Sequence, residues 1–523
     1  MALNLDTALT NAASGIKATQ AQIAVLADNI ANAGVPGYTA KTLETSAFQT
    51  GSLSEGVRIG LVSRSVDNAV QQSLLSTDSS VAALTVRSQV LQAINDVQGA
   101  PGAGGSLSDA VTALQNSFTT LLADPSSVTQ QATVVSAASG LASSINTAAG
   151  TIATQRNAVQ AQIVTTVASV NTALQTVNQL TNEIKSAFAS GQSTAVLQDQ
   201  RDTALQTISG ALDVRYIKQD NGNLTILGQN GFSLPLTATL STSSTALNVG
   251  AAYSPGGSSI PPIMLSSGNP SEPPTDVTTQ LSGGSLGELV TLRDSTLPGY
   301  TAQLDEFSQK LASRFQQQGL TLFSDAAGNV PSDTTSPNPT SYVGFSSTIQ
   351  VNPAVQAAPN LVRDGTNNIL ASDPPPHGSA FTTNNIAAGG TAGFATLINR
   401  VLTYSLGSNL DTTTPNVPFA SSGLGANGTL STTFLSPPTL AAYANLIVAG
   451  QSTDTAQANA SLASAQSYQT TLTSRISTQS GVNVDQEMGL MIQLQNSYQA
   501  NARIMQASQT MFTALMTAIN ASP

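Results

Sequence analysis

Residues able to do chemistry are few in this chain and mostly far apart. His377 is the only histidine and cysteine is absent, so neither a multi-histidine metal site nor thiol catalysis can be built. His377 follows Pro374-Pro375-Pro376, a run that reads as a loop. The chain has no GxSxG elbow, phosphate-cradling GxxxxGK[ST] loop, or GxGxxG turn in a strand–helix context. Asp325, Asn329 and Asp333 put oxygens in a turn-rich stretch, but that spacing suits solvated turns better than a cation site. The chain therefore reads as non-enzymatic, with no cofactor and no metal. Its most conspicuous charges are Asp199, Arg201 and Asp202 in LQDQRD (197–202), and Arg293 and Asp294 closing LGELVTLRD (286–294). Arg paired with Asp fixes how one helix docks on another, so these five residues read as structural ion pairs.

Charged residues make up only 9% of the 523 residues, against roughly 25% in ordinary soluble domains. The surface must then be built from Ser, Thr, Asn and Gln, and its contacts should respond weakly to salt. The formal charge is −11, with 17 Lys plus Arg scattered singly. Phosphate neutralisation needs clustered cations, so neither nucleic acid nor an anionic membrane is expected as a partner. No basic segment followed by an apolar core opens the sequence, and no apolar run of about 18 residues would span a bilayer.

The elements that must position these residues are mainly helices. Leu5, Leu9, Ala12, Ile16, Thr19, Ile23, Leu26 and Ile30 recur at steps of four and three, as do Val484, Met488, Met491, Gln495, Tyr498, Ala502, Met505, Gln509, Phe512, Met516 and Ile519. Such spacing aligns one seam per helix, so the two ends should pair with each other or with copies of the chain. Further helices are expected at 62–98, stopped by Gly99-Ala100-Pro101-Gly102, and at 106–123, with Ser106 as N-cap and Asp109 in the first turn. Val159, Ile163, Thr166, Val170, Ala173, Val177, Leu180 and Ile184 form the clearest coiled-coil seam, within 128–190. Strands joined by tight turns are expected over 214–240, around Asn221-Gly222 and Asn230-Gly231. Helix returns over 286–318, interrupted at Pro298-Gly299, and again from 437. The expected fold is α+β, elongated and multi-domain. It comprises a terminal helical domain (1–60 plus 475–523), a helical bundle (61–210, 285–323 and 437–474), and a β-rich or loop-rich insertion (211–284 and 324–436). Both termini should lie at one end of a rod and the insertion at the other.

Residues 14–39 read SGIKATQAQIAVLADNIANAGVPGYT, and 482–512 read VNVDQEMGLMIQLQNSYQANARIMQASQTMF. Both strings resemble the terminal segments of the bacterial flagellar axial proteins, the rod, hook and hook-associated family: NIAN before a Gly-Tyr turn at one end, VN-x-D-x-E and YQANAR at the other. Val35-Pro36-Gly37 forces the turn and leaves Tyr38 free to pack back. LQDQRD and LGELVTLRD are similar to two signatures of the hook-associated branch, with Gln198 where a second Leu is usual. Ala40 and Lys41 stand where the family often has Arg. The resemblance implies a structural subunit of the hook–filament junction, outside the cell, exported through the flagellar type III apparatus without a cleaved signal peptide. Its implied partners are further copies of itself, the hook protein, a second junction protein or flagellin, and an export chaperone on the C-terminal helix. The expected assembly residues are Leu5, Leu9, Ala12, Ile16, Ile23, Leu26, Ile30 and Tyr38, with Val484, Met488, Met491, Tyr498, Ala502, Met505, Phe512 and Met516. A hook or distal rod protein is the nearest alternative. A surface adhesin that recognises its ligand through the insertion is the next.

Overall fold

The computed structural model describes residues 2–50, 53–99, 104–219, 221–245, 247, 260–269, 271–332, 342–425 and 428–520. Asp333, the side chain of Ile519 and the 100–102 breaker lie outside what is described. In chain order come α1 (Ala2–Asn32), the hairpin β1 (Lys41–Thr50) and β2 (Leu53–Arg64), α2 (Asn68–Gln98), α3 (Leu107–Ala123), α4 (Val128–Ala189) and α5 (Ala195–Ala211). Two antiparallel three-stranded sheets follow. One joins β3 (Val214–Lys218), β4 (Leu224–Gly228) and β5 (Ser233–Leu234); the other joins β6 (Thr239–Ser241), β7 (Met264–Ser266) and β8 (Thr275–Asp276). Next are α6 (Gly284–Thr291), a π-helical turn (Leu292–Thr296) and α7 (Leu297–Gln316). Two small hairpins pair β9 (Phe323–Ser324) with β10 (Gln350–Val351), and β11 (Ser422–Leu424) with β12 (Leu430–Ser431). Among them lie α8 (Pro353–Ala357), α9 (Leu361–Asp364) and α10 (Thr396–Arg400), and then α11 (Leu440–Ser480) and α12 (Val484–Asn520) close the chain.

The 62 residues of α4 make it the spine, about 93 Å long at 1.5 Å per residue. Its seam of Val159, Ile163, Val170, Ala173, Val177 and Ile184 is buried within the chain, and the helix as a whole packs mainly on α5, α3 and α2. In its first third Asn146 donates to the Ile349 carbonyl, and beyond its midpoint Asn171 donates to the Leu240 carbonyl. Its last turns reach the β3–β4 turn, where a side chain at Gly222 would strike Ile184. α11 returns antiparallel along α2, since Asn95, Ser88 and Asp78 meet Ser452, Asn459 and Gln469 in turn. The loops around β9–β12 therefore sit at one end, and the chain termini meet the β1–β2 hairpin at the other.

Local chemistry explains several boundaries. Ser106 and Asp109 form a reciprocal capping box on α3, each side chain accepting the other's backbone N–H at 3.2 Å. The expected interruption at Pro298-Gly299 does not occur. The helix instead widens into a π turn, with Leu297 N–H reaching the Leu292 carbonyl, and Pro298 falls at the start of the next α-helical stretch, where its missing N–H costs little. The helix expected from 62 begins at 68, because 62–64 belong to β2. That hairpin was absent from the sequence expectation.

α7 is buried on every side from Leu297 to Phe315. Leu304, Phe307, Leu311 and Phe315 fill the core, and its polar side chains hold loops. Asp305 accepts from Gly344 N–H, Ser346 N–H and Ser346 O–H at 2.6–2.9 Å. Arg314 donates to the Pro438 and Val417 carbonyls while lying over Phe419. Strands of two or three residues persist there because these bonds satisfy the loop backbone.

Candidate assembly site at the terminal joint

α1 and α12 lie antiparallel, with Asn501 over Gly15 and Glu487 beside Asn29. A Cβ at position 15 would come within 3.0 Å of Asn501 Nδ2, so glycine is what lets the helices approach there. From α1, Ala12, Ile16 and Leu26 are buried, while Leu5, Leu9, Ile23, Ile30 and the nearby Tyr38 are half-buried. From α12, Glu487, Met491, Leu494, Tyr498, Asn501, Ala502 and Met505 are half-buried, and Ser508 is buried. The seam thus keeps the four-three rhythm, but alternate positions fall one residue earlier than expected, at 487, 494 and 508 rather than 488, 495 and 509, with 501 half-buried beside the expected 502. Val484, Met488, Phe512 and Met516 are nevertheless exposed. Met488 is 53% and Phe512 55% exposed, and Leu490, Ile492, Ile504 and Met511 are exposed with them.

The terminal pair is fastened to the helical body through LQDQRD. Asp199 accepts from Lys41 Nζ at 2.8 Å, Arg64 Nη1 at 2.9 Å and Thr39 Oγ1 at 2.7 Å. One turn on, Asp202 accepts from Arg64 Nη2 at 2.7 Å, Gln71 Nε2 at 2.9 Å and Lys218 Nζ at 3.0 Å. Arg64, at the end of β2, thereby bridges two carboxylates on one face of α5. Lys41 lies 3.3 Å from the Tyr38 ring centroid. Asn29 locks the turn after α1: it accepts from Lys41 N–H and Tyr38 O–H at 3.0 Å, and donates to the Lys41 carbonyl at 2.9 Å and to Glu487 at 3.2 Å. The Ala40 N–H completes the joint by donating to the Ser480 carbonyl at 2.8 Å.

Charge follows this geometry. Burial alone would raise the Asp202 pKa, but Arg64 and Lys218 outweigh it and hold the carboxyl below its usual value. Burial lowers Lys218, partly offset by Asp202, and lowers Arg201 as well. The Tyr38 hydroxyl is pushed up to about 12, first by burial and then by the carboxylates of Asp28, Asp199 and Glu487. Arg201 departs from the expected pairing: its Nη1 donates to the Gly222 carbonyl at 2.9 Å, while the carboxylates on either side of it serve Lys41, Arg64 and Lys218.

The second signature is a self-contained clamp. Arg293, fully buried, forks onto the adjacent Asp294 at 2.7 and 2.8 Å, and its Nη1 reaches Gln160 and the Pro261 carbonyl. Arg156 donates to the Arg293 carbonyl at 2.9 Å. A like pair, Arg363 on Asp364 at 2.7 Å for both bonds, was missed, although its LVRD string echoes the LRD of 292–294. Lys41, Arg64, Gln71 and Lys218 were missed too, since they are single polar residues without local pattern. His377 Nδ1 lies 2.8 Å from the Gly378 carbonyl. Asp325 accepts from Ala327 and Asn329 N–H groups, closing a turn. Among the described residues no cluster of three or more His, Asp or Glu could hold a metal ion, and no helix is long and apolar enough to cross a membrane.

Comparison with known proteins adds three family matches. A model described as the flagellar hook-associated protein FlgK helical domain matches residues 91–330. One for the C-terminal part of flagellar basal body rod FlgEFG proteins matches 475–518, and one for flagella basal body rod proteins matches 9–39. Flagellar hook-associated protein 1 of Salmonella typhimurium is 26% identical over 339 residues, covering 63% of this chain and 59% of that protein. Its Escherichia coli K12 counterpart is 25% identical over 339 residues, covering 63% and 60%. This chain therefore spans somewhat less than two thirds of the length of the curated relatives it matches. The solved structure of the flagellar hook junction protein FlgK from Burkholderia pseudomallei has the same fold at a TM-score of 0.55 and 17% identity, covering 77% of this chain and 99% of that one.

Proposed function

We infer, from a chain that belongs to the flagellar rod, hook and hook-associated axial family and carries the helical domain of its hook-associated member, that it is a structural subunit of the hook–filament junction. The observation that carries this reading is the apolar surface that α12 leaves exposed, Met488, Phe512 and Met516 among it. Burying a Met or Phe side chain yields about 1.5–3 kcal/mol, so that side favours contact with neighbouring subunits. On this reading the subunit is exported through the flagellar apparatus to the cell exterior. There it packs against further copies of itself, against hook protein on one side, and against a second junction protein or flagellin on the other. An export chaperone would cover the same apolar side before secretion.

The N-terminal seam acts in this scheme by presenting α12. Leu5, Leu9, Ala12, Ile16, Ile23, Leu26 and Ile30, with Met491, Tyr498, Ala502 and Met505, hold the pair together. Val484, Met488, Phe512 and Met516 are left to meet the neighbour. The test is the triple variant Met488→Ser, Phe512→Ser, Met516→Ser in a cell lacking the native copy. The unfolding midpoint of the purified monomer should stay within a few degrees of wild type, while cells carry hooks without filaments. Normal filaments on such cells would refute the assignment of this face. Cells lacking the chain altogether separate the family alternatives, because losing a hook or rod protein removes the hook itself.

A further inference from the structure

We propose that the cleft between the end of α4, the first turns of α5 and the β3–β4 turn binds an oxyanion, a carboxylate or phosphate group. The inference does not depend on the flagellar reading. The cleft has a volume of about 340 Å³ and gathers Arg64, Arg201 and Lys218, and no Asp or Glu lines it. In a chain of net charge −11 with 17 scattered Lys plus Arg, three cations around one opening are exceptional. Asp199 and Asp202 lie behind them, but Asp199 is shared with Lys41. Both Nη groups of Arg64 are committed to those carboxylates, so Arg64 contributes field rather than donors.

Arg201 and Lys218 retain donors. Arg201 is only 2% exposed; Nη1 serves the Gly222 carbonyl, and its buried Nε has no acceptor. A buried guanidinium with an unmet N–H is costly, and an oxyanion in the cleft supplies the opposing charge that this guanidinium lacks. The Lys218 ammonium has three protons, yet makes one short bond, to Asp202, and a 3.4 Å contact with Gln71. α5 adds a third contribution. Thr194, Gln198 and Arg201, spaced four and three apart, line the cleft. The first turn of this 17-residue helix carries no acidic residue, and Thr194 makes no side-chain cap. Ser193 Oγ takes the Ala195 N–H at 3.5 Å, and the other first-turn N–H groups add positive potential at that end.

Calorimetric titration of the full-length monomer with inorganic phosphate at low ionic strength tests the site. One saturable site is expected. Lys218→Gln and Arg201→Gln should each weaken it tenfold or more, with the fold checked by circular dichroism. Lys218 is partly exposed, so its variant decides the matter if Arg201→Gln fails to fold. Displacement of phosphate by glutarate would extend the site to carboxylates, such as an acidic side chain of another protein; no displacement would narrow it to phosphate. Absence of saturable binding of either anion, or an unchanged affinity in Lys218→Gln, overturns the proposal.

Discussion

Asp199→Asn probes the joint most directly. The substitution keeps the shape and one acceptor oxygen but removes the charge that faces Lys41 at 2.8 Å and Arg64 at 2.9 Å. All three side chains are at least nine-tenths buried. Removing one member of a buried pair costs about 3–5 kcal/mol, because the remaining charge has already lost its water. Here Arg64 keeps Asp202, and Lys41 keeps the Thr39 carbonyl and the Tyr38 ring, so the lower end applies, about 3 kcal/mol. These contacts join the hairpin to α5 and leave the core of the α4 bundle untouched, so the loss should appear as local opening. At 1.4 kcal/mol per factor of ten, protection against amide exchange should fall roughly 100-fold at residues such as Lys41, whose N–H is held by Asn29. Amides around Ile163 and Val170, buried in α4, should hold their protection. Adding Lys41→Met should recover much of the loss, since the orphaned ammonium is then gone. Equal protection loss in hairpin and bundle, or a double variant as damaged as the sum of its parts, would refute a local electrostatic latch.

Acid should open the same joint. The Asp202 carboxyl is held below its ordinary value of 3.8, the balance of burial against Arg64 and Lys218. A depressed folded pKa contributes stability that is complete above the unfolded value and lost as pH falls through the folded one. Fluorescence or exchange reporters on the hairpin should therefore change below about pH 4, and Asp202→Asn should abolish that transition. Phe118→Ala should cost about 3–5 kcal/mol, because Phe118 is fully buried with its ring centroid 6.0 Å from that of Phe315. Chemical denaturation measures it, and a cost below 1 kcal/mol would mean the site collapses around the cavity.

Which parts of this architecture were legible in sequence follows from how each part is held together. The seam of α4 was readable because its partners lie in the same chain, so hydrophobicity and burial coincide from Val159 to Ile184. On α12 they diverge. Asn501 sits against Gly15, where only a close polar group fits, while the more apolar Met488 and Phe512 stay exposed. Periodicity alone cannot assign such a face, since it does not say which apolar residues await a partner. The β1–β2 hairpin was missed because most of its side chains are exposed and its strands shift register between Leu43 and Thr45. It seats on α1 through Gly56, where a side chain would collide with Ser14, and through the Val57 N–H, which donates to Ser14 Oγ at 3.1 Å. At the joint, the two aspartates were visible as unusual charges. Their partners came from four separate segments, at 39–41, 64, 71 and 218, and nothing local marks those.

The scarcity of charge gives each ion pair a particular weight. A seam of Val, Ile and Ala can slide by a heptad and bury nearly the same surface, so it holds helices together without strongly fixing their register. A buried carboxylate cannot slide: displaced from Lys41 and Arg64, Asp199 would lose its compensation and expose two desolvated cations. Three sites impose register in this way. Asp199 and Asp202 set α5 against the hairpin. Arg293 sets the π turn against Gln160 of α4. Asp78 accepts from Gln206 and Gln469 at 2.8 and 2.6 Å, setting α2 against α5 and α11. With 9% charged residues, few competing pairings exist to trap a misregistered chain. Apolar seams thus supply the cohesion of this elongated molecule, and a handful of carboxylates determines which of several near-equivalent alignments forms.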